Sequence, residues 1–233
     1  MADKNRHSDA EYEEFVSIVA HDFNAPIRHV KEFSKLLLDT LGTKMSEEQR
    51  LYAGFIEAAT TRLQKMQDDM LALSHISTRA APFHDVDVVK LLKELAEEMN
   101  IAVWIEGDRP IISADPAQLK RLFQELLKNA VTFHYEPQQA EIKVSIHEGT
   151  EGSCVIDVAD NGIGIDPCYH QEIFKMFRRL HAEGVYGSGS GAGLTIAKKI
   201  ATRHSGTITL ESAAQGGSIF HVTLNTESTR KGL

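Results

Sequence analysis

The stretch from Phe15 to Val30, F-V-S-I-V-A-H-D-F-N-A-P-I-R-H-V, carries a histidine and an aspartate in the middle of a helical pattern. An imidazole nitrogen with a free lone pair is a nucleophile, and a neighbouring carboxylate can take up the ring proton. His21 and Asp22 are therefore the candidate catalytic pair. The alternative is that they form an ordinary solvated pair on a helix surface.

Apolar residues recur three or four positions apart around His21, which is typical of a helix that packs along one side. They are Phe15, Val19, Phe23, Val30, Phe33 and Leu37. His21 is two residues from Val19 and Phe23, about 200° around the helix, so we expect it to face solvent. Pro26 has no N–H to donate to the carbonyl of Asp22, so we expect the helix to loosen or kink there.

Two glycine-containing segments in the second half of the chain suit a nucleotide. In V-A-D-N-G-I-G-I, a predicted strand ends in Asp160 and is followed by Gly162 and Gly164. A carboxylate beside backbone that a ligand can approach closely suits an exocyclic amino group such as that of adenine. The glycine-rich loop from His181 to Gly193 runs into a helix N-terminus, where amides and the helix dipole favour phosphate. No G-K-[ST] follows, so this loop is not a P-loop.

A third segment, F-Q-E-L-L-K-N-A, places Glu125 and Asn129 four residues apart on one helical face. Their oxygens suit Mg²⁺. Each of the three motifs is weak alone, since a glycine-rich loop is usually only a flexible turn. Their combination and order carry the interpretation.

Composition excludes some function classes. The 233 residues include 25 basic and 33 acidic side chains, for a net charge of -8, so nucleic acid is not an expected partner. No apolar run approaches the roughly 20 residues that span a bilayer, and the N-terminus lacks a signal peptide's apolar core. Cys154 and Cys168 form no zinc-like pattern. A reduced, cytoplasmic location is expected.

The N-terminal half predicts a helical hairpin. The first helix is expected from about Asp9 to Leu41, with Gly42 ending it, and Ser46 with Gln49 forms a capping box for the second. The second apolar stripe comprises Leu51, Phe55, Ala59, Leu63, Met66, Met70 and Leu73. Because two helices cannot enclose a core, we expect a homodimer in which two hairpins form a four-helix bundle. The alternative is a monomer whose hairpin packs on its own C-terminal domain.

The predicted domains are the hairpin (1–76), a linker (77–87), a second domain (88–226) and a flexible tail (227–233). In the second domain the patterns predict helices over Val88–Met99, from Asp115 to about Phe133 and from Gly191 or Ala192 to Ile200, and strands over Ile101–Ile105, Ile142–Ile146, Cys154–Val158, Thr207–Leu210 and Ile219–Leu224. The fold class is α+β, with an α/β sandwich that has helices on one face of its sheet.

Together, these motifs resemble those of the two-component sensor histidine kinases, within the wider group of ATPases that includes gyrase B, MutL and Hsp90. H-D-x-x-x-P resembles the H box, which implies that His21 is the phosphoacceptor, Asp22 its acidic neighbour and Pro26 the kink. E-L-L-K-N resembles the N box, with Asn129 on Mg²⁺. D-N-G-I-G-I resembles the first glycine box, with Asp160 on adenine.

Two further boxes complete the resemblance. I-F-K-M-F-R-R-L resembles the F box, which implies that Phe174 and Phe177 are packing residues and that Arg179 lies near the phosphates. G-S-G-A-G-L resembles the second glycine box, which closes the ATP lid; its matching residues are Gly189, Gly191, Gly193 and Leu194. The wording of the H and F boxes is similar to that of the phytochrome-like branch.

The resemblance implies a dimeric four-helix bundle followed by an ATP-binding domain of the gyrase, Hsp90, histidine kinase and MutL type. It implies that ATP and Mg²⁺ phosphorylate His21, and that the phosphoryl group passes to an aspartate in the receiver domain of a response regulator. One rival function is an ATPase. Another is a pseudokinase that dimerises and binds a partner.

Two positions depart from the family pattern. Glu125 stands where the family usually has asparagine; it either holds Mg²⁺ or activates water for ATP hydrolysis, as a glutamate does in the hydrolysing relatives. Ala25 stands where family members that dephosphorylate their regulator often have Thr or Asn. A methyl group cannot orient a water molecule, so we predict weak phosphatase activity.

Overall fold

In a computed structural model of the chain, the described residues are 2–136, 139–150, 152–181, 186, 189–213 and 216–225. The side chains of residues 2–17, Val19, His21 and Thr43 lie outside this description. The chain divides into two compact units, Met1–Thr78 and Arg79–Leu233. None of the helices in the described part could span a lipid bilayer.

The first unit is a hairpin of two long helices, α1 (Ala2–Leu41) and α2 (Glu47–Thr78). Gly42, at φ +49°, follows α1 and opens a single 3₁₀ turn. The predicted capping box is confirmed, since Gln49 Oε1 accepts from Ser46 N at 2.9 Å and Gln49 N donates to Ser46 Oγ at 3.2 Å. Helix α1 continues through Pro26.

The apolar stripes of this hairpin remain exposed in the single chain. Exposed large side chains include Phe23, Val30, Phe33 and Leu37 on α1, and Leu51, Phe55 and Leu63 on α2. By contrast, Ala20 and Thr60 are buried. The predicted stripe members Phe15 and Val19 lie among the side chains that are not described. The hairpin by itself therefore leaves most of its described apolar stripe in contact with water.

The second unit contains a five-stranded mixed sheet among its described residues. Its order is β2-β4-β5-β7-β6, with strands β2 (Val103–Gly107), β4 (Ile142–Glu148), β5 (Ser153–Asp160), β6 (Thr207–Ser212) and β7 (Ser218–Asn225). Strand β2 pairs with β4 in parallel, and the other pairs are antiparallel. A separate two-stranded antiparallel ladder joins β1 (His84–Asp87) to β3 (Ile111–Ala114).

Helices cover one face of the large sheet. They are α3 (Val88–Met99), α4 (Pro116–Thr132) and α5 (Gly193–Arg203). Alternate strand residues such as Val144, Ile156 and Val222 are fully buried, which is the pattern of a sheet packed on one side. The buried side chains of α4, among them Leu119 and Leu126, complete this core. The predicted helix-on-sheet fold is confirmed.

Capping residues account for the sharp helix starts. The Asp115 carboxylate accepts from Ala117 N at 3.1 Å and Gln118 N at 3.2 Å, with Pro116 in the first turn. Asp87 accepts from Lys90 N in the same way at the start of α3. Both helices begin where the sequence predicted.

The segment predicted as a linker, 77–87, differs in the structure. Helix α2 extends to Thr78, and His84–Asp87 form strand β1, which pairs with β3. Val86 of β1 is buried opposite Ile112. The ladder joins segments that are far apart in sequence, and each strand is short. Neither strand is therefore long enough to show the alternation of apolar and polar residues by which a strand is predicted.

Candidate functional site

Asp160 lies at the end of β5 and is held by backbone amides. Its Oδ1 accepts hydrogen bonds from Gly162 N at 2.9 Å and from Ser218 N at 3.2 Å. Burial raises the pKa of this carboxyl, while the two amides and the electrostatic influence of His134 oppose that rise. Both bonds go to one oxygen, so the fixed carboxylate can present its other oxygen to a ligand.

Three glycines bring the backbone close around Asp160. A β-carbon at Gly162 would lie 2.5 Å from the carbonyl oxygen of Phe133. A β-carbon at Gly217 would overlap the carbonyl oxygen of Asp160. Gly164 and Gly217 have φ values of +73° and +89°, which other residues rarely adopt. The glycines predicted after Asp160 are therefore required by the packing of the loop.

Helix α4 ends against this loop. Ile163 N donates to the carbonyl oxygen of Phe133 at 2.9 Å, which joins the end of α4 to the segment after Asp160. Asn129 is half-buried on the last part of the helix. Glu125 is buried one turn earlier and forms an ion pair with Arg121, with Nη2 and Oε1 2.6 Å apart. The assignment of Asn129 and Glu125 as metal ligands stays a prediction.

The start of α5 lies beside Glu125. A β-carbon at Gly193 would overlap Glu125 Oε2, so the carboxylate packs directly against the first residue of α5. Ala192 precedes the helix and gives it no side-chain cap. The amides of the first turn of α5 therefore point their donors toward the space before the helix, where a helix favours an anion. Leu194 is half-buried in this turn.

The other predicted glycines of the lid differ from one another. Gly191 has φ +85°, and a β-carbon there would lie 2.8 Å from the carbonyl oxygen of Arg178. Gly189 is exposed and has open space around it. Gly184 and Gly187 of the predicted loop lie outside the described residues.

The F-box residues flank the start of α5. Phe174 is buried; its carbonyl accepts from Thr195 Oγ1 at 2.9 Å, and Lys198 Nζ lies 5.1 Å from its ring centroid. Phe177 adopts φ +60°, an uncommon conformation for a residue with a side chain. Arg179 Cγ lies 3.1 Å from where a β-carbon of Gly191 would be. The F box and the second glycine box are therefore neighbours.

An aromatic cluster beside the Asp160 loop was not predicted. The ring centroids of Phe133 and His181 are 6.2 Å apart, those of Phe133 and Tyr186 6.0 Å, and those of His181 and Tyr186 4.9 Å. Aromatic faces of this kind can stack on a flat ligand. Phe133 directly follows the N-box helix, but one aromatic residue at a helix end is too common to mark a site.

His21 belongs to the first unit, whereas the residues above all belong to the second. Its backbone lies in α1, and its side chain is outside the described part of the chain, so its predicted exposure stays a prediction. Asp22, Ala25 and Pro26, within the next turn and a half of α1, are exposed.

Two family descriptions match the chain in sequence. Residues 11–79 match the His Kinase A (phospho-acceptor) domain. Residues 114–228 match the Histidine kinase-, DNA gyrase B-, and HSP90-like ATPase. The Phytochrome-like protein Cph1 of Synechocystis is 32% identical over 96% of this chain. The Methanogenesis regulatory histidine kinase FilI of Methanothrix harundinacea is 27% identical over 93%.

Solved structures share the fold. Full-length ShkA in complex with AMPPNP matches 91% of this chain and 45% of its own, with a TM-score of 0.64 and 24% identity. The Acinetobacter baumannii histidine kinase AdeS matches 89% of this chain and 98% of its own, with a TM-score of 0.60 and 16% identity. The chain spans 30% of the length of Cph1 and 25% of that of FilI. It belongs to the histidine kinases that join a phospho-acceptor domain to an ATPase domain of this kind.

Proposed function

We propose that this chain is the catalytic core of a two-component sensor histidine kinase, which phosphorylates His21 from ATP and passes the phosphoryl group to an aspartate of a response regulator. The observation that carries the proposal is the meeting of four predicted motifs in one unit. The Asp160 loop, the end of α4, the F box and the start of α5 adjoin one another through the contacts described above.

The donors and acceptors of this unit fit an adenine nucleotide. Asp160 is a fixed acceptor for the exocyclic amino group, and Gly162 and Gly164 let the base approach the backbone. The uncapped first turn of α5, from Gly193, would receive the phosphates, with Arg179 beside it. ShkA, which has a similar fold, was solved with AMPPNP.

Asn129 is the residue proposed to hold Mg²⁺. Its amide oxygen lies on the helix that ends beside the Asp160 loop, and Mg²⁺ in such sites takes few protein ligands together with phosphate oxygens. When bound, the ion would offset the negative charge of the phosphates during transfer. Glu125, the second ligand predicted from the sequence, forms an ion pair with Arg121 in the structure.

In the proposed reaction, a ring nitrogen of His21 attacks the γ-phosphorus of ATP. The bond from that phosphorus to the bridging oxygen breaks, and ADP leaves with the electron pair. Asp22 accepts the proton that the ring loses. The phosphoryl group then moves from His21 to a carboxylate oxygen of the regulator's aspartate.

The hairpin is proposed to dimerise. Phe23, Phe33 and Leu37 on α1 and Phe55 on α2 are exposed in the single chain. A second hairpin would cover them and close a four-helix bundle. The match of residues 11–79 to the phospho-acceptor domain supports this assembly.

Incubation of the whole chain with Mg²⁺ and γ-labelled ATP tests the proposed activity, with His21→Ala as the matched control. We expect label that stays on the wild-type protein, is lost in acid, survives in base and is absent from His21→Ala. ATP binding without label would instead identify a pseudokinase. Phosphate release that does not depend on His21 would identify an ATPase.

A further inference from the structure

Arg121 and Glu125 form an ion pair within one turn of α4, next to the start of α5. The guanidinium Nη2 lies 2.6 Å from Glu125 Oε1. The Glu125 side chain is only 10% exposed, and Arg121 is 43% exposed. The second carboxylate oxygen, Oε2, packs against Gly193, where a β-carbon would overlap it.

This geometry places the Glu125 carboxylate at the N-terminal end of α5. The same end of the helix is proposed to receive the phosphates of ATP. A carboxylate and a triphosphate near one helix N-terminus repel each other, and burial strengthens the repulsion because the local dielectric constant is lower than that of water. The negative charge of Glu125 would also partly cancel the positive electrostatic potential of the α5 amides, which would otherwise stabilise the phosphates. A neutralising partner for Glu125 removes this conflict.

We propose that Arg121 is a positioning residue that neutralises Glu125 and holds it against Gly193, so that the first turn of α5 can accept the triphosphate of ATP. The inference rests on the proposed function. It assigns Glu125 to an ion-paired role and not to metal ligation, since the guanidinium engages Oε1 and Gly193 packs on Oε2.

Binding of adenosine, ADP and ATP to the whole chain, measured by calorimetry with and without Mg²⁺, tests this role. In Arg121→Gln we expect ATP to bind about tenfold more weakly, ADP to lose less and adenosine to lose nothing, since the effect follows ligand charge. Arg121→Lys should retain most of the ATP affinity because it keeps the charge.

A second substitution separates charge from packing. Arg121→Gln with Glu125→Gln should bind ATP as the wild type does, because neither charge remains. Glu125→Gln alone should bind ATP at least as tightly as the wild type, and it keeps the test available where Arg121→Gln does not fold. Lys120→Gln is the matched control: it removes one positive charge from the same helix, where Lys120 pairs with Glu98 at 2.7 Å on the surface.

Equal affinities of wild type and Arg121→Gln for ATP would overturn the inference. So would an equal loss for adenosine and ATP, which would indicate a general structural role. A wild-type chain that binds adenosine but discriminates against ATP would overturn it as well. A wild-type chain that binds none of the three ligands would instead overturn the proposed function on which the inference rests.

Discussion

At the scale of single residues, Asp160 is the carboxylate that we propose contacts the nucleotide. Two backbone amides, from Gly162 and Ser218, bind one carboxylate oxygen and fix its direction. The same bonds oppose the rise that burial causes in the pKa of this group. These bonds leave the second carboxylate oxygen available as an acceptor.

Asp160→Asn tests this contact with little change in shape. The asparagine oxygen can still accept both backbone bonds, but an NH₂ donor replaces the oxygen that is proposed to accept from adenine. We expect ATP affinity to fall about 10- to 100-fold, the usual worth of a hydrogen bond to a charged group, with thermal stability retained. Calorimetry measures the affinity, and unchanged binding by a folded variant would remove Asp160 from the site.

The pH dependence of wild-type ATP binding follows from the same group. The ionised carboxylate is a stronger acceptor than the protonated carboxyl for the adenine amino group that Asp160 is proposed to bind. Because burial raises the pKa of Asp160 above its ordinary 3.8, affinity should decline on acidification at a higher pH than an exposed aspartate would give.

Two neighbouring glycines in the connection between β6 and β7 allow two costs to be measured apart. One is the cost of an unusual backbone conformation, and the other is the cost of a close packing contact. Gly216 at φ +94° has open space around it, so Gly216→Ala should cost about 1 kcal/mol for its backbone conformation alone. Gly217 at φ +89° packs on the Asp160 backbone, so Gly217→Ala should cost about 3 kcal/mol or more. Chemical denaturation of both variants compares them. Equal losses would mean that close packing at Gly217 is unimportant.

At the scale of elements, a buried cluster joins the segment after α2 to two helices of the second unit. His204, after α5, is 1% exposed; its Nε2 accepts from Asp115 N at 3.1 Å and its Nδ1 donates to Ile200 O at 2.8 Å. Phe83 stacks on the imidazole with centroids 4.7 Å apart. Asp115 Oδ2 accepts from Ala81 N at 2.9 Å. The region before β1 is thus bound to α4 and α5.

Protonation of His204 would break this cluster. The added proton would occupy Nε2, which the Asp115 amide needs as an acceptor, and burial lowers the pKa of the imidazole below its ordinary 6.5. Arg203 and Asp115 are the charged groups facing the ring, and the first lowers that pKa while the second raises it. The unfolded chain therefore binds the proton at a higher pH than the folded chain does.

The free energy of unfolding should therefore be highest above about pH 6.5. It should fall as the pH drops below that value, because His204 then becomes protonated in the unfolded chain before it does in the folded chain. Denaturation curves of the whole chain between pH 8 and pH 5 measure this slope. His204→Phe keeps a ring against Phe83 but cannot titrate, so its curve should be flatter in this range. An equal slope in the two proteins would assign the pH dependence to other groups.

The sequence predicted the elements that carry local signals and missed those that depend on distant partners. The helical pattern located α3, the Asp115 and Pro116 start located α4, and alternation located β4 and β5. The short strands β1 and β3 were missed because each is stabilised by the other across an intervening helix and strand. For the same reason, Ser218 was not predicted beside Asp160, since β7 reaches it only through the sheet.

At the scale of the whole molecule, the exposed apolar side chains of the hairpin favour a dimer in which the hairpin of a second chain covers them. Phe33 is 67% and Leu37 60% exposed, and they lie one turn apart on α1. We expect sedimentation to give twice the chain mass of 25.9 kDa. Phe33→Asp with Leu37→Asp should shift the protein to monomers, because burying two carboxylates in a helical interface is strongly unfavourable.

The matched control for the dimer lies in the other unit. Trp104 is 69% exposed on β2 and is not part of the predicted bundle. Trp104→Gln should therefore leave the mass of the assembly unchanged. A wild-type monomer, or a dimer that survives both aspartates on α1, would contradict the four-helix bundle.

We propose that a nucleotide bound in the second unit phosphorylates one histidine of the first unit. The most direct test is to map the phosphate by mass spectrometry at neutral to basic pH after incubation with Mg²⁺ and ATP. Cleavage after Arg6 and Arg28 gives a peptide in which only His7 and His21 are histidines. Phosphate on His21 is the predicted result. Phosphate on another of the 11 histidines, or an ATP-bound protein without phosphate, would contradict His21 as the phosphorylated residue.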